Sequence, residues 1–291
     1  MGEDRDIIKK DVKEIVELLA DELLAENQER SREHQYGAVT PVVEVKEDGT
    51  PEIREAEINR ETVMPSIRTR LRHNILEMPP EIRKASGILI YGRRIKSLCF
   101  TTDLAIIKNC DADAIFAVYP FTPQQSISDA IIKAASVPVF TGVGGGTTKG
   151  VRTVALARDS ESQGAMGVVL NAPISNANLR AVSKAVDIPV VITVINEKTS
   201  IRDRLRFGAT IINVAGGKKT PEIVRSIRKN YPEVPIIATG GKNPEQILET
   251  INAGANAITY TPPSVQELFS DMMDRYREQR EKELSKGRKK K

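Results

Sequence analysis

The sequence contains very few aromatic residues and very few cysteines. Tryptophan is absent, aromatic residues make up 4% of the 291 positions, and there are 2 cysteines. Two cysteines in a chain of this length do not make a disulfide framework. Because 40% of the residues are hydrophobic and so few are aromatic, the core must be built from alanine, valine and isoleucine. Such side chains suit parallel strands that are buried on both faces.

The sequence also lacks a basic stripe and a long apolar run. The formal net charge is only +4, and much of it comes from the C-terminal KGRKKK, which is typical of a solvated chain end. No basic stretch is interleaved with aromatic residues, so nucleic-acid binding is not expected. No apolar run approaches membrane-spanning length, and the N-terminal MGEDRDIIKK is unlike a signal peptide. We therefore expect a soluble, cytoplasmic protein without nucleic-acid or membrane partners.

Residues 1–90 have the features of an extension, because apolar strand patterns are scarce there. Apolar residues recur at helical spacing over residues 4–29, which predicts an amphipathic helix. Residues 37–58 alternate apolar and charged residues around an Asp-Gly pair, which predicts a hairpin. Residues 65–85 are predicted to be helical up to the break at Pro79-Pro80. We interpret the extension as a cap or as an arm that forms a homo-oligomer.

Residues 91–275 alternate regularly between strand and helix patterns, which predicts a parallel sheet with helices outside. Strands that follow a branched residue and proline alternate with strands that follow Gly-Ala. A two-unit repeat is expected in a (β/α)8 TIM barrel, where alternate strands fill alternate interior layers. We therefore predict such a barrel over residues 91–275 and a charged tail over 276–291; a doubly wound sheet remains the alternative. The predicted strands are Ile95–Phe100, Ala114–Tyr119, Val139–Val143, Gly167–Leu170, Val190–Ile195, Ile211–Val214, Ile236–Ala238 and Ala257–Tyr260.

The predicted strand ends carry the chemistry that a phosphate group requires. In a barrel, functional residues lie at the carboxyl ends of the strands. These ends are rich in Gly, Thr, Asn and Lys, which supply backbone amides, hydroxyls and ammonium groups. The run IIATGGKNPEQ, residues 236–246, combines a strand, two glycines and a helix start that Asn243 can cap. Ser264, three residues before Glu267, predicts a second helix start beside Thr261.

Residues 234–264, VPIIATGGKNPEQILETINAGANAITYTPPS, resemble the last two units of the ribulose-phosphate-binding barrel superfamily. Within that superfamily, 2-keto-3-deoxy-6-phosphogluconate aldolases and thiamine-phosphate synthases carry a similar run. The resemblance implies that this barrel holds a phosphate at its last strand ends, and Ser264 is added because its predicted helix start lies beside them. The implied phosphate-binding residues are Gly216, Gly217, Thr239, Gly240, Gly241 and Thr261. The alternative is that these glycines only permit tight turns.

The reaction residues of that superfamily are not found in this sequence. A class I aldolase needs a lysine inside a strand, whereas the sixth predicted strand carries Asn213 near that position. The two histidines, His34 and His73, both lie outside the predicted barrel. We therefore predict neither a metal nor a cofactor.

Four other residues at predicted strand ends are candidate catalytic residues: Asp103, Asn171, Glu197 and Lys149. Asp103 could move a proton or could simply cap the following helix. Asn171 can donate and accept hydrogen bonds, and Glu197 supplies a carboxylate near the fifth strand end. Lys149 is the next-to-last residue of the run GVGGGTTKG, which predicts a flexible lid or an anion cradle; a plain loop is the alternative.

Two functions fit these residues. The first is a metal-independent lyase, isomerase or hydrolase acting on a small phosphorylated metabolite, such as a sugar phosphate. The second is a non-catalytic ligand-binding or scaffold barrel. Dense polar strand ends favour the first function, and the shortage of carboxylates and histidine at the predicted mouth favours the second.

Overall fold

The computed structural model describes residues 75–241 and 243–288, together with three short strands of the N-terminal region at 42–45, 51–54 and 66–68. The chain divides into two compact units, Met1–Asn74 and Ile75–Lys291. This boundary precedes the one near residue 90 that the sequence suggests. Residues 75–90 therefore belong to the same unit as the barrel.

The N-terminal unit contains a three-stranded sheet. Strands β1 (Val42–Val45) and β2 (Pro51–Arg54) are antiparallel, with Val43 opposite Ile53. Their pairing confirms the predicted hairpin. Strand β3 (Ser66–Arg68) pairs in parallel with the other edge of β1.

The helix predicted from residue 65 is wrong at Ser66–Arg68. These residues form β3 instead, and the edge of β1 thereby gains partners for its backbone groups, a tertiary effect that outweighs local helical spacing. The same prediction is wrong over residues 75–79, which are not helical, whereas Pro80–Lys84, beyond the predicted break, form a short 3-10 helix. The helix predicted over residues 4–29, and the oligomer contact assigned to it, lie outside the described residues.

A short antiparallel hairpin precedes the barrel. Strand β4 (Ile88–Ile90) and strand β5 (Arg93–Ile95) pair with Ile88 opposite Ile95. Tyr91 and Gly92 form the turn, and both have positive φ angles, 48° and 77°, as a two-residue hairpin turn requires. The predicted first barrel strand over Ile95–Phe100 is thus divided, because Ile95 belongs to the hairpin.

In the described part of the chain, eight parallel strands close into a barrel. The last strand pairs with the first, with Thr259 beside Leu98. Each strand overlaps its predicted counterpart, so the predicted (β/α)8 fold is confirmed. The strands are β6 (Ser97–Phe100), β7 (Ala114–Ala117), β8 (Val139–Gly144), β9 (Gly167–Leu170), β10 (Val190–Val194), β11 (Ile211–Val214), β12 (Ile236–Thr239) and β13 (Ala257–Tyr260).

A helix follows each barrel strand. The last helix continues past residue 276 to Arg288, so part of the predicted tail is helical. No helix in the described residues is long and apolar enough to cross a membrane. The helices are α1 (Leu104–Lys108), α2 (Gln125–Ala134), α3 (Val151–Ser162), α4 (Asn176–Ser183), α5 (Ile201–Arg206), α6 (Thr220–Asn230), α7 (Pro244–Asn252) and α8 (Val265–Arg288).

Alternate residues of each barrel strand face the interior or the helices, as the period of two in a strand requires. On β11, for example, Ile211 belongs to the interior cluster, whereas Ile212 and Val214 pack in the outer layer. Three isoleucines of the β4–β5 hairpin, Ile88, Ile90 and Ile95, also belong to the interior cluster. The hairpin therefore packs against the amino-terminal end of the barrel core. The strand residues of the interior cluster are Leu98, Ala114, Phe116, Phe140, Val169, Val191, Ile211, Ile237 and Ala257.

Arg228 on α6 fixes the loops that lead into β12 and β13. Its guanidinium donates to the carbonyl oxygens of Gly254 at 2.8 Å and Val234 at 2.9 Å, and to Asn256 Oδ1 at 2.8 Å. Partial burial lowers the pKa of Arg228, but a guanidinium stays charged in proteins. Since charged donors make the stronger hydrogen bonds, this side chain holds the amino-terminal end of the barrel together.

Candidate binding site at the barrel mouth

The carboxyl end of the barrel interior is polar on one side. On strands β9 to β13, the residue two positions beyond each interior apolar residue is polar, and it faces the same interior. On the opposite side, the matching positions carry Phe100 and Gly142. The mouth therefore has an apolar half and a polar half. The polar residues are Asn171, Thr193, Asn213, Thr239 and Thr259.

Three of these residues form a hydrogen-bonded chain across adjacent strands. The Nδ2 group of Asn213 donates to Thr193 Oγ1 at 3.1 Å, and the Thr193 hydroxyl donates to Asn171 Oδ1 at 3.1 Å. Because Thr193 has a single hydroxyl proton, the orientations of the two carboxamides are coupled to each other. The Nδ2 group of Asn171 and the Oδ1 atom of Asn213 are the ends that the chain leaves available.

Asn213 is deeply buried, with 5% of its surface exposed. Its Oδ1 atom has no hydrogen-bond partner among the described residues. A buried acceptor without a partner costs about 1–3 kcal/mol, and most such groups in proteins are paired. Asn213 Oδ1 is therefore a buried acceptor that the described residues leave unpaired.

A cavity of about 300 Å³ opens beside Asn171 at the ends of β7, β8 and β9. Its wall includes Tyr119 and Phe121 from the loop after β7, and residues 144–148 from the glycine-rich loop. None of the described residues that line it is charged. The cavity can accept an uncharged organic group, with the amide of Asn171 as a hydrogen-bonding partner.

The glycine-rich loop forms a fixed turn. Gly145 and Thr148 exchange backbone hydrogen bonds of 3.1 and 3.2 Å, and the amide of Gly146 donates to the carbonyl of Pro173 at 3.0 Å. Gly145 has a φ angle of 113°, and a Cβ atom there would overlap the backbone carbonyl of Asn171. Glycine is therefore required for the close approach of this loop to the end of β9. These amides are already paired, so the loop serves as a wall of the cavity.

Asp103 caps a helix. Its Oδ1 atom accepts hydrogen bonds from the amides of Ala105 at 2.8 Å and Ile106 at 3.3 Å. The structure thus confirms one of the two roles that the sequence suggests for Asp103, that of the N-cap of α1. A catalytic role for its carboxylate stays a prediction.

The other two predicted catalytic side chains, Glu197 and Lys149, are exposed. Glu197 lines an outer groove of about 610 Å³ between α5 and α6, beside Arg202 and Asp203. Lys149 lies at the end of the glycine-rich loop. The hydrogen-bonded chain inside the barrel thus includes Asn171 but neither of these two residues.

Several of the predicted phosphate-binding groups already have partners within the protein. The amide of Gly216 donates to Thr220 Oγ1 at 3.0 Å, and the amide of Gly240 donates to the carbonyl of Thr259 at 3.3 Å. A Cβ atom at Gly240 would overlap Ile258, so this glycine is required by packing.

Ser264 starts α8. Its amide and hydroxyl both donate to Glu267 Oε2 at 2.7 Å, and its Oγ accepts from the amide of Glu267 at 3.2 Å. The hydrogen bonds from Ser264 lower the pKa of Glu267. This reciprocal pairing confirms the predicted capping box and engages the Ser264 hydroxyl.

The remaining predicted donors lie at the ends of β11, β12 and β13. The hydroxyls of Thr239 and Thr261, and the amides of Gly217 and Gly241, make no hydrogen bond within the described part of the chain. Next to them, Asn243 Oδ1 accepts from the amide of Gln246 at 3.0 Å. Asn243 therefore caps α7 as predicted, and the helix presents its positive end to the same region.

The sequence does not single out Thr193 and Thr259 as site residues, and it names Asn213 only as the residue near the lysine position of the aldolases. The sequence nevertheless contains a pattern that could have identified these residues. In the strands VITV, IINV and AITY, one polar residue occupies an inward position within an otherwise apolar run. A polar residue at such a position lies inside the barrel and requires a partner.

A metal site is not apparent in the described residues, where no group of three or more His, Cys, Asp or Glu side chains comes together. Both histidines lie outside those residues.

No family model and no curated protein matches the sequence. Solved structures do match its fold. A candidate phosphonomutase from Burkholderia cenocepacia J2315 has a TM-score of 0.51 at 15% identity, with 62% of this chain and 93% of that chain covered. A phosphonopyruvate hydrolase has a TM-score of 0.52 at 15% identity, with 67% and 85% covered. The chain has the TIM-barrel fold.

A third structure of this fold is a 2,3-dimethylmalate lyase of the PEP mutase/isocitrate lyase superfamily. It has a TM-score of 0.51 at 11% identity, with 67% of this chain and 80% of the lyase covered. At identities this low the likeness shows the fold alone, because one barrel fold supports many chemistries. The resemblance of residues 234–264 to ribulose-phosphate-binding barrels stays a prediction.

Proposed function

We propose that this TIM barrel binds a small phosphorylated metabolite at its mouth and acts on it as a lyase, isomerase or hydrolase. The observation that carries the proposal is the group of unengaged donors at the ends of β11, β12 and β13. It comprises the hydroxyls of Thr239 and Thr261 and the amides of Gly217 and Gly241. Donors of this kind beside a helix N-terminus bind phosphate.

The polar groups that already have partners within the protein shape the site and do not contact the phosphate. Gly216 and Gly240 shape the turns, and Ser264 starts α8, so the direct contacts to the phosphate come from the four unengaged groups. The organic part of the ligand points into the barrel, toward the Asn171–Thr193–Asn213 chain and the uncharged cavity. Because the β4–β5 hairpin packs against the other end, the ligand enters from the carboxyl side.

A non-catalytic ligand-binding barrel is the second candidate. It is favoured by the use of the Asp103 carboxylate as a helix cap and by the position of Glu197 in the outer groove. The two candidates share the binding site and differ in turnover. Incubating the protein with phosphorylated metabolites and following them by phosphorus NMR separates the two, because only the enzyme changes the spectrum.

A charge substitution at Gly217 tests the phosphate site. Gly217 has a φ angle of 62°, and a Cβ atom there would meet nothing within 4 Å, so Gly217→Asp adds a carboxylate without a clash. Two unit charges 4 Å apart repel by about 1–4 kcal/mol between bulk water and a protein surface. We expect inorganic phosphate to raise the melting temperature of the wild-type protein and to lose this effect in the variant.

The matched control is Gly92→Asp in the β4–β5 turn. Gly92 has a φ angle of 77° and equally open space around it, so backbone strain is similar while the added charge lies on the hairpin at the other end. This variant should keep the full response to phosphate. A wild-type protein that melts at the same temperature with and without excess phosphate would contradict the proposal.

A further inference from the structure

The two cysteines of the chain are neighbours in the layer between the barrel and its helices. Cys99 on β6 is fully buried, and it faces the helices because Leu98 before it faces the barrel interior. Cys110, which follows α1, packs against the same core cluster. Both thiols are free, and a side-chain hydrogen bond joins them. Two free thiols in contact are the arrangement from which a disulfide forms.

Backbone pairing on both sides of Cys110 fixes its position. The amide of Leu76 donates to the carbonyl of Asn109 at 2.8 Å, and the amide of Asp111 donates to the carbonyl of Leu76 at 3.2 Å. Cys110 therefore lies between two residues that are tied to the same neighbouring segment. The other thiol is held by a strand of the closed barrel. The contact between the sulfur atoms is thus part of the folded structure and does not require a local rearrangement.

The two thiols differ in exposure and in acidity. Cys110 is only partly buried, whereas Cys99 is buried. The hydrogen bond from Cys99 lowers the pKa of Cys110 to about 7, against burial and the Asp111 carboxylate, which both raise it. The same hydrogen bond, together with burial, raises the pKa of Cys99. Because the thiolate is the reactive form of cysteine, Cys110 is the sulfur that reacts first, and Cys99 is a protonated thiol in contact with it.

We propose that Cys110 and Cys99 are a redox modification site at which a hydroperoxide converts the two thiols into a reversible disulfide. Cys110 attacks the peroxide, and Cys99 resolves the product. A partly exposed thiol beside a second thiol is the arrangement found at redox-sensing cysteines. The disulfide ties the segment after α1 to β6. This inference is independent of the proposed phosphate site, which lies at the ends of other strands.

The reaction has two steps. The Cys110 thiolate attacks one oxygen of the hydroperoxide, so that an S–O bond forms, the O–O bond breaks, and the other oxygen takes up a proton and leaves as an alcohol or as water. The sulfur is oxidised by two electrons to a sulfenic acid, and the peroxide is reduced. The Cys99 sulfur then attacks the Cys110 sulfur. The S–S bond forms, the S–O bond breaks, and the hydroxyl group leaves as water with the proton of Cys99.

The cysteine content of the chain makes the product unambiguous. Because the sequence has 2 cysteines, the only disulfide that can form within one chain joins Cys99 and Cys110. The alternative product is a dimer linked through the more exposed Cys110. Intact mass and a gel without reductant distinguish the two products.

The test treats the full-length protein with an equimolar amount of hydrogen peroxide near neutral pH and stops the reaction with catalase. Intact mass and free thiols are then measured under denaturing conditions. The wild-type monomer should lose both thiols and two hydrogen atoms, and dithiothreitol should restore them. The same protein unfolded in urea should form the disulfide at least about tenfold more slowly, because the loop must close first and the thiols have their ordinary acidity.

Two variants test the order of the steps. Cys99→Ala should stop at the sulfenic acid of Cys110, which dimedone traps as an adduct visible by mass. Cys110→Ala should keep its remaining thiol reduced, because the sulfur of Cys99 is buried and protonated.

Four results would overturn the proposal. The wild-type protein could keep both thiols in a large excess of peroxide, form a dimer linked by a disulfide, or oxidise Cys110 to a sulfinic acid while Cys99 stays free. In the fourth, Cys110→Ala reacts with peroxide as fast as the wild-type protein. The first three results are measured on the wild-type protein and do not depend on any variant folding.

Discussion

Replacing Asp103 distinguishes a helix cap from a catalytic carboxylate. The structure gives its Oδ1 atom two amide donors, those of Ala105 at 2.8 Å and Ile106 at 3.3 Å. Removing an N-cap side chain costs about 1 kcal/mol, and losing a negative charge at a helix N-terminus adds about 0.3–1 kcal/mol. We therefore expect Asp103→Ala to lower the free energy of unfolding by about 1–2 kcal/mol. Asp103→Asn keeps an accepting oxygen and should lose less than about 1 kcal/mol.

The assay is urea denaturation followed by circular dichroism, together with the melting temperature. For a domain of this size, 1 kcal/mol corresponds to a shift of about 2–4 °C. Ser175→Ala is the control, because Ser175 caps α4 through one hydrogen bond of 3.2 Å to the amide of Asn178 and should cost about 1 kcal/mol. If Asp103→Ala is as stable as the wild-type protein, the capping argument is refuted. If Asp103→Asn abolishes turnover at unchanged stability, Asp103 is catalytic.

Three further predictions concern other parts of the molecule. Arg228→Met should destabilise the barrel by about 2 kcal/mol, since buried carbonyl groups lose a charged donor; an unchanged urea midpoint would contradict this. The hydrogen bond from the Cys99 thiol lowers the pKa of Cys110 to about 7, so alkylation of Cys110 should be half-maximal near pH 7 and move to higher pH in Cys99→Ala. A midpoint that stays in place would show that the two thiols do not interact. Deleting residues 1–30 should reduce the number of subunits per particle measured by light scattering if the predicted N-terminal helix joins subunits, and an unchanged number of subunits would refute that role.

The barrel could be predicted because its signals are local and repeated. Each strand is a short run of branched residues between turn residues, and this pattern gives the boundaries of Gly167–Leu170 and Ile211–Val214 as the structure has them. The caps at Asn243 and Ser264 also follow from nearby residues. The helix predicted at Ser66–Arg68 is wrong, because the strand that forms there depends on pairing with β1, about twenty residues earlier in the chain.

The site could be predicted only in part, because the sequence does not show which donors are already engaged. The run TGG suggests free amides at Gly240 and Gly241, yet Gly240 pairs with Thr259 on the neighbouring strand. Likewise, the glycines after β8 suggest an anion cradle, but Pro173 from another loop accepts the amide of Gly146. Such pairings depend on strand register and loop contact, which a single sequence does not specify.

The most direct test of the account is a crystal structure of the protein grown with inorganic phosphate. We expect a phosphate at the ends of β11, β12 and β13, within hydrogen-bond distance of the Thr239 hydroxyl and the Gly241 amide. The account would be contradicted if that position is empty at a phosphate concentration that raises the melting temperature, with the anion bound elsewhere on the protein.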